Sequence, residues 1–171
     1  SRSEASILNE IELIPKIPDF KGTITDIGGP TANLYLADCR LWREKTGACK
    51  NKKCIHPEKC RNLELAHNRI SELLSKARSI KNVKHVFVAS GLRFDLLTEP
   101  DSEKYLETLC LNHISGQLKI APEHISDKVL KLMNKSCFDK YEKFKRRYDE
   151  LNKKLNKKQF LVNYFITAHP G

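Results

Sequence analysis

The sequence lacks both a long apolar segment and a secretory signal. No apolar run approaches the roughly 20 residues that a membrane-spanning helix needs, so the pattern excludes such a helix. The first residues, Ser1-Arg2-Ser3-Glu4, are polar and do not resemble a signal peptide. No internal repeat and no low-complexity tail is present. We therefore expect a soluble, cytoplasmic protein.

Acidic residues are the scarcer charged type in this chain. It carries 31 Lys and Arg against 21 Asp and Glu, a formal net charge of +10. Between Lys131 and Lys158, 11 basic residues stand against 4 acidic ones. This surplus is either a solvated helix face or a platform for nucleic acid. We favour the solvated face, because acidic residues are interleaved and the aromatic residues there have the helical spacing of a buried stripe.

Helical and strand-like patterns alternate along the 171 residues, which suits a single α/β domain. Strands are predicted at 22–27, 84–90, 117–121 and 159–167. Helices are predicted from Ser3 to Ile14, from His67 to Arg78, from Asp101 or Ser102, from Ser126-Asp127 and from about Phe138. The order α-β-α-β-α-β-α-α-β predicts a mostly parallel sheet with right-handed crossovers.

Each predicted strand ends in a polar cluster that contains glycine or proline. The clusters are Gly28-Gly29-Pro30-Thr31, Ser90-Gly91-Leu92-Arg93, Pro122-Glu123-His124 and Thr167-Ala168-His169-Pro170-Gly171. Chemistry in parallel α/β proteins collects at the carboxyl ends of strands. Four such clusters therefore predict the border of one site.

The first and last predicted elements are unusual for such a domain. The chain starts on a helix with no strand before it and stops on a strand with no helix after it. A helix needs a sheet face against which to bury its apolar stripe. We therefore expect a fragment of a longer α/β barrel or half-barrel.

Four of the six cysteines lie within 22 residues, in a polar segment at 38–62 that we interpret as a loop insertion. They are Cys39, Cys49, Cys54 and Cys60, with the spacing C-x9-C-x4-C-x5-C. Thiolates bind soft or borderline cations, and a loop without apolar residues gains order from one. We favour a metal over free cysteines, with zinc and an iron–sulfur cluster both left open. A disulfide is disfavoured in a reducing compartment, and Cys110 and Cys137 are interpreted as structural.

Four motifs resemble those of YgiQ-type radical S-adenosylmethionine proteins. They are DIGGPTAN at 26–33, ASGLRFD at 89–95, LKIAPEH at 118–124 and YFITAHPG at 164–171. The similarity runs through the whole chain, and it implies a parallel (β/α)6 partial barrel. In that superfamily a C-x3-C-x2-C motif after the first strand holds a [4Fe–4S] cluster. S-adenosylmethionine bound to the cluster is cleaved reductively to a 5′-deoxyadenosyl radical, which abstracts hydrogen from a substrate.

The resemblance also implies which residues contact S-adenosylmethionine. Gly28, Gly29 and Pro30 would contact the methionyl amino group, because a backbone carbonyl approaches a ligand closely only where no Cβ intervenes. The other residues carried over by position are Asp26, Ser90 and Arg93, then Lys119, Glu123 and His124, and finally His169 and Gly171 near the adenine. No catalytic residue is assigned.

The chain departs from the family pattern because it contains no C-x3-C-x2-C motif. The spacing Cys49-x4-Cys54-x5-Cys60 is different, and it follows the second strand of the family fold instead of the first. We expect the missing motif upstream of Ser1, and we expect this chain alone to be inactive. The intact protein would be a radical S-adenosylmethionine enzyme with an unknown substrate. The alternatives are a nucleic-acid-binding module with a metal-stabilised cysteine loop and a protein-interaction scaffold.

Simpler structural roles compete for several of these residues. Glu123 can cap the helix that starts near Ser126. Arg93 can form an ion pair with Asp95, and His169 can belong to a turn. We expect His124 to face a cleft. The remaining histidines, His56, His67, His85 and His113, are interpreted as surface residues, and His56 would become a ligand if the cysteine loop binds a metal with one histidine.

Overall fold

Helices and strands alternate in the order that the sequence predicts. The computed structural model describes residues 2–29, 31–47, 49–50 and 52–170. Its helices are α1 (Glu4–Leu13), α2 (Arg40–Arg43), α3 (His67–Arg78), α4 (Glu103–Thr108), α5 (Asp127–Leu132) and α6 (Phe138–Lys154). Its strands are β1 (Thr23–Ile24), β2 (Asp38–Cys39), β3 (Leu63–Glu64), β4 (His85–Val86), β5 (Gln117–Glu123) and β6 (Phe160–Phe165). β2 and α2 lie in the insertion at 38–62, and β3 follows it directly. Without these three elements the order is the predicted one, which is therefore confirmed.

The strands outside the insertion pair in parallel. β1 pairs with β4, and β5 pairs with β6. A parallel bridge between Leu92 and Ile120 joins the segment after β4 to β5. The structure is therefore a mixed α/β fold with short parallel sheets. It does not confirm the finer expectation of a partial barrel, because the described strands form separate two-stranded sheets.

β1 and β4 are shorter than the apolar runs that predicted them. Phe87 still donates to the Ile24 carbonyl at 2.9 Å, and Ile27 donates to the Phe87 carbonyl at 2.8 Å. Beyond that point the Ala89 N–H donates to the side chain of Asp26 instead of to a backbone carbonyl. The regular ladder therefore ends where a side chain replaces the backbone as acceptor.

The core lies between the strands and the inner faces of α3, α4 and α6. On α3 the predicted stripe is buried, namely Ile70, Leu73, Leu74 and Ala77. On α6 the predicted aromatic stripe is also confirmed, since Tyr141, Phe144 and Tyr148 are buried. Each large apolar side chain of this kind stabilises the fold by about 1.5 to 3 kcal/mol.

Two histidines lie in this core, so their interpretation as surface residues is wrong. His67 stacks on Tyr105 with 4.6 Å between ring centroids. His113 has its Nδ1 atom 2.8 Å from the Val86 carbonyl, to which it donates a hydrogen bond. Burial lowers the pKa of both histidines below the usual 6.5. The ring of His113 thus finds an acceptor, whereas the buried Nε2 atom of His67 has no hydrogen-bond partner among the described residues.

The insertion at 38–62 has more regular structure than a plain loop. β2 pairs with β3 in an antiparallel ladder, and α2 follows β2 directly. Arg43 forms two hydrogen bonds with Glu64, at 2.6 and 2.9 Å. These contacts close the base of the insertion.

Within the described part of the chain, every helix is too short or too polar to cross a membrane.

Candidate functional site

The ends of β1, β4 and β5 meet at one edge of the molecule. The carboxylate of Asp26 accepts hydrogen bonds from the Ala89 N–H at 3.0 Å and the Ser90 N–H at 3.1 Å. It also accepts one from the Ser90 hydroxyl. The bridge between Leu92 and Ile120 continues the edge to β5. We call residues 26–29, 90–95 and 119–123 the rim.

Asp26 is held in its ionised form at the rim. Burial opposes its ionisation, but hydrogen bonds from the Ser90 side chain and from the Ser90 and Ala89 backbones outweigh that effect. Together with the charge of Lys119, they lower the pKa of Asp26 below its usual 3.8. Asp26 therefore brings a negative charge to the rim while it ties β1 to the segment after β4.

Asn33 provides a second tie, which sequence reasoning missed. This side chain is fully buried. Its Nδ2 donates to the Arg93 carbonyl and its Oδ1 accepts from the Arg93 N–H, both at 2.9 Å. A side-chain amide carries one acceptor and donors, so it can pair with a peptide group as a neighbouring strand would. The only signal in the sequence was the position of Asn33 at the end of the first motif.

A cavity of about 470 Å³ opens over the ends of β4 and β5. Residues that line it include Ser90, Arg93, Lys119, Glu123, Lys135 and Tyr164. Arg93 forms two hydrogen bonds with Asp95, at 2.9 and 2.5 Å, and these raise the pKa of its guanidinium. Lys135 pairs with Glu123 at 2.9 Å. Lys119 forms no ion pair with any residue that the structure describes, so its ammonium is available to an anionic ligand.

A second cavity, of about 540 Å³, adjoins the first at Thr31. Asp26, Gly28 and Gly29 line it, and its other walls are mostly apolar side chains, of which α1 and α3 contribute several. A Cβ on Gly28 would lie 3.2 Å from both the Asp26 carboxylate and the Ala32 Cβ, so close packing favours glycine there. A Cβ on Gly29 would meet no atom within 4 Å. The Gly29 backbone is therefore open to a ligand.

The structure brings together seven of the eleven residues that the resemblance assigned to the cofactor. The residues that line the two adjoining cavities are Asp26, Gly28, Gly29, Ser90, Arg93, Lys119 and Glu123. Pro30 lies outside the described residues, as does Gly171.

His124 and His169 line neither cavity. The Nδ1 atom of His124 accepts a hydrogen bond from the Ser126 N–H at 2.9 Å, at the start of α5. The sequence offered Glu123 as a residue that could cap α5. In the structure, His124 makes the hydrogen bond at the start of α5, and Glu123 pairs with Lys135. The Nδ1 atom of His169 lies 2.7 Å from the carbonyl oxygen of Pro170, the next residue in the chain.

Comparison with known proteins finds relatives over the whole chain. All 171 residues align at 50% identity with a UPF0313 protein of Clostridium botulinum strain Okra. They align at 48% identity with UPF0313 proteins of Methanocella arvoryzae and Methanosarcina mazei. The chain is similar to UPF0313 proteins throughout its length. UPF0313 is the YgiQ-type family, so these relatives agree with the resemblance of the motifs.

The UPF0313 relatives are much longer than this chain. The chain spans 26% of the Clostridium protein, 28% of the Methanocella protein and 27% of the Methanosarcina protein. No family model and no solved structure matches the chain. The names of the relatives state no activity, so function has to be argued from the site.

The cysteine insertion belongs to the region that is similar to UPF0313 proteins. Burial, and after it the thiols of Cys60, Cys39 and Cys49, raise the pKa of Cys54. All four are free cysteines. No three His, Cys, Asp or Glu side chains in the described ranges are arranged to hold a metal ion, so the metal site stays a prediction.

Many basic side chains of α6 are paired with carboxylates. The pairs are Lys140 with Glu58, Lys143 with Asp139, Lys145 with Asp149, Arg147 with Glu103 and Lys154 with Glu107. Such pairing lowers the positive charge that is free to meet a polyanion. It favours the solvated-face interpretation, and nucleic-acid binding stays a hypothesis.

Proposed function

We propose that this chain forms the S-adenosylmethionine-binding part of a radical S-adenosylmethionine enzyme. The observation that carries the proposal is the meeting of three parallel strand ends at the rim. Open glycine backbone lies on one side of this rim. A cavity with Lys119, which has no ion-pair partner among the described residues, lies on the other. The relatives agree with the YgiQ-type resemblance of the motifs, from which the proposal takes its chemistry.

The two cavities suit a ligand of this size and charge. Their volumes, about 470 and 540 Å³, fall in the range of roughly 300 to 1,000 Å³ that is typical of small-molecule sites. Lys119 would neutralise the methionyl carboxylate. Asp26 would attract the methionyl ammonium, next to the exposed Gly29 backbone. Ser90 and Glu123 offer oxygen atoms to the ribose hydroxyls.

The residues of this chain bind and orient the ligand. S-adenosylmethionine supplies hydrogen-atom abstraction when it is cleaved at a reduced iron–sulfur cluster. Asp95 and Asn33 fix Arg93 from both its side chain and its backbone, so the guanidinium stays in place when the ligand enters. A wall that is already ordered loses little entropy on binding.

An iron–sulfur cluster does not fit the rim of this chain. The rim contains no cysteine, and the sequence contains no C-x3-C-x2-C motif. The clustered cysteines belong to the insertion. In our proposal another segment of a longer protein supplies the cluster, and this chain alone binds S-adenosylmethionine weakly and cleaves none. Tight binding of S-adenosylmethionine to the chain alone, measured by calorimetry without iron, would contradict this division of roles.

The test uses the longer protein that the proposal implies, reconstituted anaerobically with iron and sulfide and then reduced. We expect it to convert S-adenosylmethionine to methionine and 5′-deoxyadenosine, measured by chromatography with mass detection. Lys119→Ala should weaken S-adenosylmethionine binding by roughly tenfold, because one charge-assisted hydrogen bond is lost.

The matched control is Lys145→Ala, which removes a lysine from an exposed ion pair on α6. It should bind and cleave S-adenosylmethionine as the unmodified protein does. The proposal fails if the reconstituted protein forms no 5′-deoxyadenosine, or if Lys119→Ala behaves like the control.

A further inference from the structure

The insertion at 38–62 has no apolar core of its own. None of its described residues is buried, and Trp42 is 67% exposed. Apolar burial is the dominant favourable term in folding, whereas ordering the backbone costs about 1 to 2 kcal/mol per residue. The short β2–β3 ladder and the ion pair between Arg43 and Glu64 secure only the base of the insertion. The segment therefore needs another source of order.

Backbone contacts bring three of its cysteines into one small region. Cys39 lies opposite Leu63 in the β2–β3 ladder. The Leu63 N–H donates to the Cys60 carbonyl at 2.9 Å, and the Cys60 N–H donates to the Cys54 carbonyl at 2.8 Å. Cys39, Cys54 and Cys60 therefore lie on neighbouring stretches of backbone, and Cys49 lies five residues before Cys54 in the same insertion.

The chemistry around these thiols suits zinc. Four thiolates complete the tetrahedral coordination of a structural zinc ion, and the resulting complex is negatively charged. The insertion carries eight Lys or Arg against three Asp or Glu, which offsets that charge. In addition, the Nδ1 atom of His56 is buried and has no hydrogen-bond partner in the described part of the chain. This nitrogen is a further potential metal ligand, two residues after Cys54 in the sequence. Zinc has no redox chemistry, which fits a site near the surface.

We propose that the insertion binds one zinc ion through Cys39, Cys49, Cys54 and Cys60, and that this ion supplies the order that its side chains do not. Each thiol releases its proton to solvent as the sulfur–zinc bond forms. The four thiols are not in a coordinating arrangement among the described residues, so binding of the ion requires their side chains to move together. The proposal is independent of S-adenosylmethionine, because no residue of the rim belongs to the insertion.

The test measures zinc in the 171-residue chain, produced with added zinc and purified under reducing conditions. We expect about one zinc per chain by mass spectrometry of the elements. A cobalt-substituted sample should show the thiolate charge-transfer bands and strong visible absorption of a tetrahedral site. Cys54→Ser and Cys60→Ser should each lower the bound zinc several-fold.

Cys137→Ser is the matched control. Cys137 is an exposed free thiol outside the insertion, and its side chain makes no capping hydrogen bond at the start of α6. This variant should keep its zinc. Because the insertion contributes no buried side chain, the far-ultraviolet circular dichroism of all three variants should match that of the unmodified chain.

A second measurement needs no variant. Lys52 and Lys53 are exposed within the insertion, so trypsin should cleave there several-fold faster after a chelator has removed the zinc. The proposal is overturned if the chain holds no zinc, if the cysteine variants keep it, or if chelation leaves this cleavage unchanged. Iron and sulfide bound at these cysteines in place of zinc would also overturn it.

Discussion

At the scale of single residues, Asn33 is the side chain on which the shape of the rim depends most. Its amide makes both hydrogen bonds to the backbone of Arg93 and is fully buried. Asn33→Ala would leave a peptide N–H and a carbonyl unpaired, at a cost of about 1 to 3 kcal/mol in the free energy of unfolding. Urea unfolding followed by circular dichroism measures this loss.

Asn33→Asp is the conservative comparison for this prediction. It keeps the oxygen that accepts from the Arg93 N–H, but it replaces the donor to the Arg93 carbonyl with a second oxygen and places an ionisable carboxyl group in a fully buried position. Both variants should be less stable than the unmodified chain. If Asn33→Ala unfolds at the same urea concentration as the unmodified chain, the tie does not hold the rim.

Asp26 gives the rim a dependence on pH. Its pKa is lower in the folded chain than the ordinary 3.8, so ionisation favours folding. This stabilisation is fully present above that ordinary value and disappears as the pH falls through the lowered folded pKa. Asp26→Asn should therefore be less stable than the unmodified chain at neutral pH, and the difference should shrink in acid.

Urea unfolding of both chains from neutral pH down to about pH 3 tests this sign. Ser90→Ala provides a second comparison, because it removes the hydroxyl that donates to Asp26. In Ser90→Ala the stabilisation by ionised Asp26 should therefore disappear at a higher pH than in the unmodified chain. A stability difference between Asp26→Asn and the unmodified chain that grows as the pH falls would refute the assignment.

The buried histidines show how much the sequence contained at this scale. His67 stands three residues before Ile70 and seven before Leu74, on the apolar stripe of α3. His113 stands four residues after Leu109, on the stripe that continues from α4. Helical periodicity would have placed both inside. Their interpretation as surface residues rested on the lack of a partner pattern around them in the sequence, and that lack says nothing about burial.

At the scale of elements, apolar runs predicted the strands well and their lengths poorly. The runs at 22–27 and 84–90 contain buried side chains such as Ile24, Val86 and Val88, but regular pairing covers only two residues of each strand. Two further backbone hydrogen bonds follow, and then the side chain of Asp26 takes over as acceptor, which no hydrophobic pattern reveals. Only β5, with seven residues, extends beyond its predicted 117–121.

β6 is an exposed edge strand with large apolar side chains. Within the described residues it pairs with β5 alone, and Phe160, Tyr164 and Phe165 are 68%, 52% and 47% exposed. Exposed apolar edges promote association between chains. We expect the 171-residue chain to self-associate at high concentration, as measured by sedimentation velocity, and Phe165→Lys to reduce this association.

Leu132→Lys is the control for this prediction. Leu132 is 55% exposed but lies on α5, away from any strand edge. This variant should associate as the unmodified chain does. If it reduces association as much as Phe165→Lys does, general surface hydrophobicity accounts for the effect and the edge of β6 does not.

At the scale of the whole molecule, the element order, the parallel direction and most of the site could be predicted from the sequence. Motifs at strand ends were enough to place Gly28, Ser90 and Lys119 at adjoining cavities. Contacts between distant segments could not be predicted, because Asn33 meets Arg93 only through the relative position of two loops 60 residues apart in the chain. The closure of a barrel was also beyond reach, since it depends on pairing between the separate sheets.

A structure of the longer protein with S-adenosylmethionine bound tests the central claim most directly. The account predicts that the ligand passes between the two cavities at Thr31, with its methionyl ammonium against Gly29 and its methionyl carboxylate within hydrogen-bond distance of Lys119. S-adenosylmethionine bound elsewhere, with both cavities empty or filled by other side chains, would contradict the account.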